Sequence, residues 1–286
     1  MRTRISQSNI FPDFDLFTEY QKIEHLISEE QVIGTYNQFG SALPPRFTIE
    51  EYINQFYFKN WSLRGTFLSV DEMRKGLGIE KRLFTPESIN EDMVLDFIQY
   101  AANINMRTTM TIGRCSAAYI SDENHLTVVV QNMSHLLNQL GAHFLTDKKT
   151  HEVCIAYKDD LSAVVGNNCP EIEHSIVEYK KIDNRGDLRR KGEILCTLFK
   201  RLEAGETKFK GTTYKNLCDD TTFLFNKIGA RHWVEKDKIA SKTFMKMTPE
   251  ELEMWYDKTY DLFLSCMVVS RYLDSKKAID SIKRAE

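Results

Sequence analysis

The chain has no apolar stretch long enough to cross a membrane. Its longest candidate, Leu264 to Val269, is broken by Ser265 and falls far short of the roughly 20 residues a helical span needs. The first residues, Met1-Arg2-Thr3-Arg4, run into polar and acidic sequence through Asp13 and Asp15 without the apolar centre of a secretory signal. These absences lead us to expect a cytoplasmic protein with no membrane partner. The six cysteines, at 115, 154, 169, 196, 218 and 266, include no Cys-x-x-Cys pair. In a reducing compartment they read as separate buried thiols rather than a disulfide framework. Positive charge is not in excess either: 38 Lys and Arg stand against 41 Asp and Glu, a formal net charge of −3. That excludes a chain coated for nucleic acid, while a local basic face remains open.

The phosphate-binding loops G-x-x-x-x-G-K-[ST] and G-x-G-x-x-G are absent, as are the G-x-S-x-G elbow and H-E-x-x-H. No cofactor is expected. His135, His143, His151 and Cys154 are metal-ligand types, but their spacing matches no ligand set and they read as polar edge residues, so no metal is expected. There is no internal repeat and no low-complexity segment.

What is present is ordinary globular composition: 286 residues, 42% hydrophobic and 28% charged. Phe17, Tyr20, Ile23, Leu26 and Ile27 recur at helical spacing. Thr48 with Glu51, and Ser69 with Glu72, have the form of helix starts. Thr85-Pro86-Glu87-Ser88 opens a further helix, and another spans about 125–140, ended by Gly141. The period then switches. His143 to Thr146 and Val153 to Tyr157 flank a polar stretch and predict a β-hairpin over about 143–157. From Pro170 onward the pattern is helical, ending in a long stripe from Leu252 to Leu273 that predicts a buried bundle helix. The expected fold is therefore mainly α: a C-terminal helical bundle with a small β-hairpin, and a helical N-terminal region. The expected division is 1–85 and 86–286.

Two features could carry chemistry. Residues 180–215 are locally basic, with Arg185, Arg189, Arg190 and Lys191 at their centre. Such a face can hold the phosphates of RNA, or it can be a solvated helix surface with pairs such as Asp187–Lys191. Arg231-His232 follows the helix carrying Asn226, just past Gly229. Arginine can fork onto a phosphate and histidine can move a proton near neutrality, which together suit metal-independent RNA cleavage. Equally, Arg231 can cap a helix end and His232 can pack beside Trp233.

A group of segments resembles bacterial abortive-infection proteins: Ile176-Val177-Glu178-Tyr179, Gly186-Asp187-Leu188-Arg189-Arg190-Lys191, Leu224-Phe225-Asn226 leading into Ala230-Arg231-His232, and Glu250-Glu251-Leu252 with Trp255-Tyr256-Asp257. The resemblance covers about residues 125–275. It implies a helical domain related to the HEPN group, many of whose members are ribonucleases that act as dimers in phage defence. In that group the signature Arg and His stand several residues apart, whereas Arg231 and His232 are adjacent. On this resemblance Arg231, His232 and Asn226 would be catalytic, Arg185, Arg189, Arg190 and Lys191 would bind RNA, the chain would be a homodimer, and a phage or host protein would be the trigger. The other expectation is a non-catalytic interaction or sensor module of a defence system.

Overall fold

Capping residues visible in the sequence set most helix starts. In the computed structural model, which describes residues 15–36, 41–112, 118–146, 152–228 and 246–285, α1 (Leu16–Ser28) begins where the Asp15 carboxylate accepts the Thr18 amide at 2.9 Å. The strands β1 (Ile33–Tyr36) and β2 (Ala42–Phe47) follow. Next comes α2 (Ile49–Phe56), opened by a reciprocal capping box in which the Glu51 amide donates to Thr48 Oγ1 and the Thr48 amide to Glu51 Oε2. Ser69 caps α3 (Val70–Gly76). The chain continues through α4 (Glu91–Ile112), β3 (Ala118–Ile120), α5 (His125–Gln139), β4 (Ala142–Thr146) and β5 (Val153–Tyr157). It ends with α6 (Asp160–Asn168), α7 (Pro170–Tyr179), α8 (Leu188–Gly205), α9 (Lys215–Lys227) and α10 (Pro249–Ala285). The protein is mainly α. No helix among the described residues is long and apolar enough to cross a membrane.

The helix expected at Pro86 starts later. Residues Thr85 to Ser88 form a turn in which Ser88 Oγ donates back to the Leu83 carbonyl at 2.6 Å, and α4 begins after Asn90, whose side chain accepts the Met93 amide. The hairpin expected over 143–157 is present as β4 and β5, with its tip outside the described residues. A second, three-stranded antiparallel sheet of order β2-β1-β3 was not anticipated. Its strands are short, and Pro44 and Pro45 lie on the edge strand β2, in the stretch where its register with β1 shifts between Ile33 and Thr35. At its centre the far end of the Tyr119 ring lies over Gly34, and a Cβ there would have to displace it.

The chain divides into two compact units, residues 1–155 and 156–286, and not at 85/86. The reason is packing. α1 and α2 bury Tyr20, Ile23, Ile27, Tyr52 and Ile53, and they pack on α4 and α5 rather than standing apart from them. Tyr20 stacks on Phe84 at 4.0 Å and meets the edge of Phe97 on α4. The start of β5 is tied to α4 as a peptide would be: Asn103 Nδ2 donates to the Val153 carbonyl, the Val153 amide donates to Asn103 Oδ1, and the Ile155 amide donates to Gln99 Oε1. This supplies the support that an isolated hairpin needs.

Buried charge in the first unit centres on Arg74, held between Glu24 at 2.8 Å and Glu50 at 3.0 Å, with Tyr100 donating to Glu50 at 2.6 Å. Burial raises the Glu50 carboxyl above its ordinary value, against the pull of Arg74. A carboxyl with a raised folded-state pKa stabilises the fold at low pH, and that contribution is lost as pH rises through the folded value. We therefore expect Glu50→Gln to gain on the wild type as pH is raised from about 4 to about 7. Melting temperatures measured in parallel across that range would contradict this if Glu50→Gln lost ground to the wild type as pH rose.

The second unit is a helical bundle. α10, about 55 Å long at 1.5 Å per residue, lies against α6, α8 and α9. Its Tyr256, Tyr260, Phe263, Leu264 and Met267 recur at helical spacing into a core with Leu195, Leu198, Phe199, Phe209 and Phe225. The Phe199 and Phe225 rings stack at 3.9 Å.

Candidate functional site

The segment before α8 sets the geometry here. Gly186 takes a positive φ, its amide donates to Glu253 on α10, and Asp187 then caps α8 through the Arg190 amide. Four basic side chains follow or flank this turn, and they part company. Arg189 is 73% exposed and lies along its own helix against Glu193. Arg190 is held by Glu178 on α7 and by Glu193 at 3.0 Å. Those contacts raise the Arg190 guanidinium and lower the Glu193 carboxyl. Arg185 is half-buried and donates to the Ile182 carbonyl; burial lowers its pKa against the pull of Glu253.

Lys191 goes furthest from the expected role. Its side chain is 8% exposed, and Nζ lies 2.7 Å from Glu253 and 2.8 Å from Asp257. It also sits over the Tyr179 ring at 5.2 Å. An ammonium so placed is a fixed partner of two carboxylates and is not presented to a ligand. The structure therefore brings Arg190 and Lys191 into the ion pairs that join α7, α8 and α10, and leaves Arg189 on the surface. Further along the basic stretch the pairs are solvent-exposed ones, Arg201 with Glu171, Lys208 with Asp274 and Lys215 with Asp219. Most of these carboxylates lie outside 180–215, which is why the local charge count suggested a basic face.

The residues sequence reasoning missed sit beside Lys191. Tyr179 and Tyr260 stack in parallel at 4.1 Å, with Lys191 over the first ring and Lys180 over the second at 4.8 Å. Asp257 accepts from Tyr179 Oη at 2.9 Å as well as from Lys191. Lys180 stands 3.4 Å from Asp159 and 3.7 Å from Asp261, and Ser162 links Asp159 to the Tyr260 hydroxyl. Burial drives both tyrosine hydroxyls above their ordinary range, so they stay protonated. Burial also raises Asp261. In Asp159 it is outweighed by the Ser162 hydrogen bonds and Lys180, which hold that carboxyl low. The signal in the sequence was the spacing Glu253, Asp257, Asp261, a row of carboxylates four residues apart that needs intervening cations. Two of its carboxylates reach the surface, Asp257 being 46% and Asp261 62% exposed.

Asn226 lies half-buried in the last turn of α9. Arg231 and His232 lie outside the described residues, as does His151. Among the described residues no three His, Cys, Asp or Glu groups are placed to hold a metal ion. No protein-family model matches the chain, and no curated protein or solved structure does either.

Proposed function

We propose that the second unit is a non-catalytic helical interaction module of an abortive-infection type of defence protein, one that senses a ligand or docks a phage or host protein. The observation that carries this is the state of the α8 cations. Arg190 and Lys191 spend their charge on Glu178, Glu253 and Asp257, so they hold helices together. RNA binding draws on unpaired Lys and Arg, and these two are committed to carboxylates.

A second reading is an RNase working as a homodimer, with Arg231 on the phosphate, His232 moving the proton and Asn226 orienting one of them. The specific support is that α9 stops at Lys227, which places Asn226 in its last turn with Arg231 and His232 next in the chain. Purified full-length protein incubated with total RNA separates the two. The module reading expects the same RNA profile with and without protein, and no growth arrest on overexpression. Cleavage that disappears in His232→Ala would overturn it in favour of the nuclease.

A further inference from the structure

A cleft of about 280 Å³ opens in the second unit between α6, α8 and α10. Its wall is apolar where the exposed Val164 and Val268 line it, and three cations reach it from separate elements: Arg201 on α8, Lys208 just after α8, and Arg271 on α10. The space exists because α8 ends in small residues. Ala204 and Gly205 line it, and a Cβ built on Gly205 meets nothing within 4 Å.

We propose that this cleft binds a nucleoside phosphate, its phosphate on Arg201, Lys208 and Arg271 and its ring on the apolar wall. The inference deepens the module reading above and rests on it. The volume falls just below the roughly 300 Å³ at which small-molecule sites begin, so what it can enclose is no larger than a single nucleotide. The charge is the right sign, since three cations line the cleft with Asp274 as their one lining carboxylate. That charge is also available. The Arg201–Glu171 pair and the Lys208–Asp274 pair are both about half exposed. Pairs of that kind contribute about 0–1 kcal/mol, so a phosphate can replace either carboxylate at little cost. Arg271 is exposed and makes no ion pair among the described residues. This separates the cleft from the Lys191 cluster, whose buried ammonium a ligand could not recruit.

Cys169 lines the cleft and is half-buried, so it reports on occupancy. The test is calorimetric titration of the full chain with ADP, adenosine and inorganic phosphate, paired with iodoacetamide labelling of Cys169 read by peptide mass spectrometry. We expect ADP to bind, to slow Cys169 labelling severalfold, and to bind more tightly than either fragment. Arg271→Gln and Arg201→Gln should each weaken ADP binding about tenfold, as loss of a hydrogen bond to a charged group does. Gly205→Leu should block binding by filling the cleft with every charge in place. Absence of ADP binding overturns the proposal. So does ADP binding that leaves Cys169 labelling unchanged or survives both Arg271→Gln and Gly205→Leu. An RNA oligonucleotide that protects Cys169 where ADP does not also overturns it. The two readings fail separately: a missing ADP signal without RNA cleavage removes the ligand and leaves the module, whereas His232-dependent cleavage alongside ADP binding removes the module reading alone.

Discussion

Arg74→Met should cost about 3–5 kcal/mol, the usual loss when one partner of a buried ion pair is removed. Arg74 Nε donates to the Ile79 carbonyl, its two terminal nitrogens reach both oxygens of Glu24, and one of them also reaches Glu50. The guanidinium further lies over Phe97 and Tyr100 at 5.6 and 5.8 Å. Methionine keeps the apolar volume but strands two carboxylates, of which Glu24 is 2% exposed. For a unit of this size the melting temperature should fall by roughly 10 °C or more. The decisive comparison is the triple variant Arg74→Met, Glu24→Gln, Glu50→Gln. If stranded charge is the cause, the triple variant recovers at least half of the loss, because the amides keep hydrogen-bonding partners such as Tyr100 and Ser28 without the charge. Equal instability of single and triple variants would assign the cost to lost ring contacts instead.

The Arg74 cluster also marks the limit of what the sequence discloses. Glu24 and Arg74 are fifty positions apart, and nothing in the pattern of either helix says that they meet. Elements whose stability is local could be found. The Thr48 and Ser69 caps with Glu51 and Glu72, the α5 stripe and the hairpin arms all announce themselves within a few residues, since capping and periodicity are short-range physics. Elements that depend on distant partners did not. The β2-β1-β3 sheet pairs Ile33 with both Phe47 and Ile120, and α1 buries Tyr20 against Phe84 and Phe97, which lie far along the chain. The same limit applies to the site. Eleven basic residues in one stretch looked like a surface, because the carboxylates that pair with several of them arrive from α7, α9 and α10.

Lys191→Met is the sharpest separation of structural from ligand-binding charge in the second unit. The methionine retains the stem that packs along Tyr179 and removes the ammonium. Glu253, Asp257 and the Tyr179 hydroxyl are then left facing one another without a cation. Two charge-assisted hydrogen bonds and a ring contact are lost, but the carboxylates can turn toward water, so the expected loss is about 2–3 kcal/mol. Arg189→Met, two residues earlier and 73% exposed, should change stability by no more than about 0.5 kcal/mol. Thermal melts of the two proteins test that contrast. Titration with a labelled RNA at two salt concentrations tests its functional counterpart: a Lys191 that contacted phosphate would, when removed, weaken binding and reduce the salt slope by about one. The ion pairs to Glu253 and Asp257 predict that the slope does not change. A Lys191→Met protein with a wild-type melting temperature and lost RNA affinity would instead return this lysine to the RNA-binding face that its neighbours in the sequence suggest.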